Sequence, residues 1–176
     1  NMLRALQAGH NICMFPEGSC TWNGETSTII QSTAKLIKKA GVTLITYRVE
    51  GGYPTMPRWS KSIRPGRMTG VIGNIYEPEQ LKIMTVDEIY NKICEDLYVN
   101  SVTMSDKYEY KGKTLAENLE TALFICPKCN GISTYTSKND MFTCTCGVKL
   151  KYDTHCRLND MEHKDFPFIS VLEWDK

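Results

Sequence analysis

Two cysteine pairs near the C-terminal end constrain this chain more than any other feature. Cys126-Pro127-Lys128-Cys129 is separated by fourteen residues from Cys144-Thr145-Cys146-Gly147. A tight turn lets two cysteines point at one ion, because its N–H groups stabilise thiolate sulfur. Four thiolates at about 2.3 Å complete the closed tetrahedral arrangement of structural zinc. Four sulfurs leave no position open for water, so the expected cofactor is structural zinc on Cys126, Cys129, Cys144 and Cys146, with no catalytic cofactor. The second pair is closer than the usual two-residue gap, and His155 and Cys156 stand near enough in sequence to replace a ligand. A disulfide or a set of free thiols is the other reading of the same spacing.

The residues around the pairs suit a zinc ribbon. Ser133–Tyr135 and Met141–Thr143 read as a hairpin over the polar tip Ser137-Lys138-Asn139-Asp140, and Val148–Tyr152 alternates like a third strand. So small a ribbon has little core of its own, so the ion should supply most of its folding energy. Of the remaining cysteines, Cys13 and Cys94 fall in apolar periodic stretches, and we expect them buried. Paired spacing with buried single cysteines fits a reducing compartment better than a disulfide framework.

At 176 residues there is room for one domain of ordinary size and a small appended module. Apolar content of 41% and charged content of 23% suit a globular protein with a buried core. A net charge of +1 exerts no general pull on nucleic acid. Locally, five basic residues from Arg48 to Arg67 face Glu50 alone. No apolar run approaches the roughly 18 to 20 residues needed to cross a bilayer, and no signal peptide is visible. The chain starts at Asn1, with Leu3, Ala5 and Leu6 resembling the tail of an amphipathic helix, so we read it as the C-terminal part of something longer.

Gly9 should stop that first helix. The apolar run Ile12-Cys13-Met14-Phe15 then reads as a strand, Asn11–Phe15, driving into a Pro16-Glu17-Gly18 corner. Ile29, Ile30, Ala34, Leu36, Ile37 and Ala40 recur at helical spacing, with Gly41 as a fitting stop. Val42–Val49 reads as the next strand, and strand, helix and strand with short links form a βαβ unit with parallel strands. Met68–Tyr76 reads as a further strand. Thr85-Val86-Asp87-Glu88 and Thr114-Leu115-Ala116-Glu117 are capping boxes, each opening a helix. The predicted organisation is α/β: a partial sheet flanked by helices over residues 1–100, a linker and short helix over 101–125, a zinc-ribbon-like β module over 126–156 and a tail over 157–176.

The corner is where a function becomes readable. A strand that delivers a carboxylate and a glycine to a helix start is a geometry that suits phosphate. Phe15-Pro16-Glu17-Gly18, followed by Ser19, Thr21 and Gly24, resembles the third sequence block of the 1-acyl-glycerol-3-phosphate acyltransferase family of glycerophospholipid acyltransferases. The likeness covers roughly residues 1–100 and implies an acyltransferase-type sheet, and some bacterial-type members look similar in carrying a C-terminal zinc ribbon. It implies transfer of a fatty acyl group from acyl-CoA or an acyl carrier protein to the hydroxyl of a lysophospholipid or glycerol phosphate. The implied setting is cytoplasmic, peripheral at the inner face of the membrane, with a membrane surface as partner and no nucleic acid.

Carried over by position, acceptor binding falls on Glu17, Gly18, Ser19 and Thr21. Gly18, Ser19 and backbone amides suit a phosphate, whereas anionic Glu17 better orients a basic group or a hydroxyl. Arg48 and the Arg58–Arg67 loop are candidates for the positive charge. The chain departs from the family pattern in three ways. Cys20 stands where an arginine is usual, and Thr43 and Thr46 where the fourth block has prolines. The catalytic His-x4-Asp motif, which in the family precedes this block, is absent: His10 is followed at that spacing by Phe15. His155 has Asp160 at the right spacing, but lies after the metal motif. No catalytic residue is therefore assigned, and this stretch by itself should be inactive. A zinc-ribbon module binding nucleic acid or a protein partner on an unrelated α/β domain is the alternative, with Lys128, Lys138, Lys149 and Lys151 as its basic residues.

Overall fold

The structure is a computed structural model describing residues 2–162 and 166–176, so the part of the tail at 163–165 lies outside the described residues. It is a mixed α/β chain with two small antiparallel sheets. In order it runs α1 (Met2–Gln7), α2 (Ser32–Ala40), β1 (Leu44–Glu50), α3 (Gly52–Thr55), β2 (Thr69–Tyr76), α4 (Pro78–Ile83) and α5 (Val86–Leu97). Then come α6 (Ser101–Ser105), a 3-10 turn (Leu119–Thr121), β3 (Tyr135–Lys138), β4 (Met141–Cys144), β5 (Lys149–Tyr152), β6 (Leu158–Asp160) and α7 (Val171–Asp175). The chain forms two compact units. The first takes residues up to Cys20, Thr26–Val49 and Gly70–Val99; the second takes Thr21–Glu25, Glu50–Thr69 and Asn100–Lys176.

In the first unit, helix α2 buries Thr33, Ala34 and Ile37, and Gly41 ends it in the left-handed region at φ 61°. Its Lys38 ammonium donates to the carbonyls of Leu81, Lys82 and Met84 at the end of α4, where a helix exposes unpaired oxygens. The expected capping box opens α5: Thr85 Oγ1 accepts the Glu88 N–H at 3.2 Å, and Glu88 accepts the Thr85 N–H at 2.6 Å. Ile89 and Ile93 of α5 meet Ile29, Ala34, Ile37 and Leu81 in one apolar cluster.

The sheet of this unit differs from expectation. Residues 11–15 form no strand, so there is no βαβ unit. Strand β1 pairs instead with β2. Polar groups on the inner face secure that pairing. Thr46 Oγ1 donates to Asp96 Oδ2 at 2.8 Å and accepts the Asn74 N–H at 2.8 Å. Asp96, which is buried, also accepts from Asn74 Nδ2 at 2.6 Å and Tyr76 Oη at 2.8 Å. Ile12 and Met14 instead line an open apolar cavity of about 430 Å3 with Leu36, Val42 and Leu44, leaving Phe15 85% exposed. Cys13, expected in the core, is exposed for the same reason.

The second unit is built on a four-stranded antiparallel sheet, β3-β4-β5-β6. Lys138 faces Met141 across a two-residue turn in which Asn139 takes φ 56°. Alternation sends Phe142, Cys144, Leu150 and Tyr152 inward and leaves Lys149 and Lys151 exposed. Strand β6 and helix α7 carry no legible pattern in the sequence, because three and five residues are too few for periodicity to show. The helix expected at Thr114 is only a 3-10 turn, because Asn118 adopts φ 69° and breaks the right-handed path. The small β module is not short of core. Trp59, Tyr110, Leu119 and Val171 join its strands in one cluster of 16 buried residues among those described.

Candidate metal centre

Cys126, Cys129, Cys144 and Cys146 converge, with ligand atoms all within 4.8 Å of one another. The Cys126–Cys146 and Cys129–Cys144 sulfur pairs are each 3.8 Å apart, too far for a disulfide. A tetrahedral ion with four sulfurs at about 2.3 Å requires sulfur separations of about 3.8 Å. The cluster is thus already spaced for one such ion. His155 and Cys156 do not belong to it: the His155 ring nitrogen Nδ1 pairs with the Ser105 carbonyl at 2.7 Å, and Cys156 is buried near Tyr152.

Each pair sits in its own turn. In the first, the Asn130 N–H returns to the Cys126 carbonyl at 2.8 Å and the Cys126 N–H to the Gly131 carbonyl at 2.9 Å. Gly131 is needed there: a Cβ would lie 2.7 Å from Thr134 Cγ2 and 3.2 Å from the Cys129 sulfur. In the second, Gly147 turns the chain at φ 100°, and the Cys144 N–H bonds the Val148 carbonyl at 2.9 Å. Cys126 and Cys144 face the core, while Cys129 and Cys146 are exposed.

Two hydroxyls support the sulfurs. Tyr135 Oη donates to Cys126 Sγ at 3.2 Å, and Thr134 Oγ1 lies 3.1 Å from Cys144 Sγ. Their only sequence signal was their position between the cysteine pairs. Burial pushes the Cys144 thiol up, but the Cys146 backbone, the Thr134 hydroxyl and the neighbouring thiols outweigh it and bring it down to about 6. The Val148 backbone pulls Cys146 down, yet burial and the other thiols push it up to about 12. Four thiols this close cannot all ionise together without a cation among them. The donor set therefore fits a thiophilic divalent ion such as zinc.

The residues of the Pro-Glu-Gly corner fall in different places. The Gly18 N–H bonds the Phe15 carbonyl at 3.1 Å in a tight turn, with Gly18 at φ 76°. Glu17 accepts the Ser27 N–H at 2.7 Å, and the Pro16 carbonyl accepts the Ile30 N–H at 3.2 Å. Ser19 is exposed. Thr21 belongs to the second unit, where its hydroxyl donates to Asn23 Oδ1 at 3.0 Å and accepts the Gly24 N–H at 3.2 Å. Among the basic candidates, Arg48 donates to the Asp96 carbonyl, Arg58 lies over Trp22, and Arg64 is wholly buried. Burial removes Arg64 from any role on a solvated phosphate.

No protein-family model, curated protein or solved structure matches this chain. Its class accordingly rests on its own geometry: a mixed α/β chain with a four-cysteine cluster spaced to hold a metal ion in a small β module. Among the described residues, no helix is long and apolar enough to cross a membrane.

Proposed function

We propose that Cys126, Cys129, Cys144 and Cys146 hold one structural zinc ion. The observation that carries this reading is the pair of 3.8 Å sulfur separations, which match the edge of a zinc–thiolate tetrahedron. The purified protein should contain about one zinc per chain by elemental analysis, and a cobalt-substituted form should show the intense charge-transfer bands of tetrahedral thiolate ligation. A metal-free preparation whose two cysteine turns, residues 126–131 and 144–148, are as ordered as in the metal-loaded protein would overturn it.

A second proposal concerns the corner. We infer that the chain is part of a glycerophospholipid acyltransferase, 1-acyl-glycerol-3-phosphate O-acyltransferase-like, that moves an acyl group from acyl-CoA or an acyl carrier protein to a lysophospholipid. Support comes from the Phe15-Pro16-Glu17-Gly18 turn, whose glycine has the positive φ that such a corner needs and whose Glu17 anchors the segment leading into α2. In this reading Glu17 orients the loop, Gly18 and Ser19 approach the acceptor phosphate, and Thr21 shapes the following turn. Exposed Met14 and Phe15 beside the corner support contact with the inner membrane surface from the cytoplasmic side. The binding-module alternative gains little from its lysines, since Lys149 pairs with Glu162 at 2.8 Å and Lys151 with Asp140 at 3.4 Å. The test is acyl transfer to lysophosphatidate by the protein with its native upstream coding sequence, in wild-type and Glu17→Ala forms. A clear drop with the fold retained supports the reading; equal rates, or no transfer by either form, would sink it.

A further inference from the structure

Residues 51–76 contain no carboxylate, while Arg58, Lys61, Arg64 and Arg67 bring cations to the same stretch. Part of it closes on itself. The Arg64 N–H donates to the Thr55 carbonyl at 2.8 Å, so the chain between them leaves and returns through one neck, as in an Ω-loop. Its side chains divide between anchoring and display. Pro57, Trp59 and Arg64 are buried. The Arg64 guanidinium lies 4.7 Å from the Trp59 ring centre, and Trp59 Nε1 donates to Tyr53 Oη at 3.0 Å. The Ser60 N–H bonds the Pro57 carbonyl at 2.9 Å. Those contacts hold the backbone, and Met56, Arg58, Lys61 and Ile63 stay exposed.

The loop displays two chemistries at once. Met56, Ile63 and Met68 are 60%, 70% and 53% exposed, and exposed Arg58, Lys61 and Arg67 alternate with them. One exposed apolar side chain is ordinary, but three long ones interleaved with three cations form a patch. Trp22 extends it: its ring is partly exposed, the Arg58 guanidinium lies 4.6 Å from its centre, and its carbonyl accepts from Tyr53 Oη at 2.9 Å. Indole rings and long cationic side chains share a preference for the boundary between lipid headgroups and acyl chains. Their apolar parts enter while the charge stays level with the phosphates. A polyanion such as RNA would complement the charges alone, and an apolar protein surface the methionines alone. A bilayer with anionic headgroups meets both needs on one surface.

We propose that the 55–68 loop docks on anionic lipid bilayers, with Met56, Ile63 and Met68 entering the headgroup region and Arg58, Lys61 and Arg67 meeting lipid phosphates. The proposal rests on the membrane contact of the acyltransferase reading, but vesicle binding is measured without acyl transfer, so the two can fail separately. The full chain is sedimented with vesicles of phosphatidylcholine mixed equally with phosphatidylglycerol, and with vesicles of phosphatidylcholine alone. Binding should favour the mixed vesicles and fall at about 1 M salt, where the screening length shrinks to about 3 Å. Lys61→Gln should weaken partitioning about fivefold. Met56→Ser combined with Ile63→Ser should weaken it about tenfold, with Tm unchanged because both side chains are exposed. Equal binding by these variants, equal binding to uncharged vesicles, or RNA binding without vesicle binding would overturn the proposal. Binding that depends on Met14 and Phe15 but not on the loop would overturn it too, and would leave the acyltransferase reading standing. Loop-dependent binding without acyl transfer would sink that reading alone.

Discussion

Cys129 and Cys146 expose their side chains to solvent, yet their sulfurs complete the same cluster as buried Cys126 and Cys144. Replacing either exposed cysteine by serine removes a thiolate without opening a cavity in the core. Cys146→Ser should lower bound zinc from about one ion per chain to a small fraction of that at equal protein concentration, read by elemental analysis. Tyr135→Phe removes only the hydroxyl aimed at Cys126, and should weaken zinc affinity about tenfold in a competition titration, with the sheet intact. Asp96 has a different role. Three donors converge on its buried carboxylate, and Asp96→Ala would remove the acceptor they share. A loss of about 3 kcal/mol in denaturant unfolding is expected. That these four cysteines would cluster could be read from spacing alone. The Asp96 network could not, because its partners come from β1, β2 and α5 and share no local pattern.

Helix α5 is the element most fully written in its own sequence. Thr85 and Glu88 form the reciprocal cap, and Ile89 and Ile93 fall on one face. Thr85→Ala should cost about 1 kcal/mol. The Thr85 backbone N–H and then its hydroxyl hold Glu88 below its ordinary 4.5, so the folded value lies below the unfolded one. That contribution is present above pH 4.5 and fades as pH falls further, so stability should decline on acidification, and less steeply in Glu88→Gln. The stretch from Asn11 to Phe15 is the opposite case. Its apolar residues suit a strand, but a strand exists only through its partner's ladder, and the sheet holds β1 and β2 alone, with residues 11–15 paired to neither. Thr114 likewise signals a helix start, and the left-handed Asn118 four residues on cancels it.

At the scale of the molecule, the 16-residue cluster that includes Phe142, Tyr152 and Leu158 changes what metal removal should do. A chelator should release the two cysteine turns while leaving the strands folded. Near-UV signals and hydrogen exchange at residues 126–131 and 144–148 should change, with most far-UV signal retained. Complete unfolding would mean that the ion supplies the fold's stability outright. Tyr76 gives an alkaline limit. Burial first, and then the Asp96 carboxylate, push its hydroxyl up from 10.0 to about 12. The folded value lies above the unfolded one, so its contribution is complete below pH 10 and is lost as pH rises toward 12. Unfolding monitored between those values should show a steep decline that Tyr76→Phe makes shallower.

Local sequence was enough to specify the spacing of the four clustered cysteines, the β3–β4 hairpin, the stop at Gly41 and the start of α5, since each depends on residues a few positions apart. Contacts across the fold set which strand β1 accepts, where Thr21 and Arg64 lie, and that the small β module shares a core with Trp59 and Tyr110. Those outcomes depend on contacts between residues far apart in the chain. A one-dimensional pattern records that a side chain is apolar, charged or glycine, but not which distant partner will satisfy it.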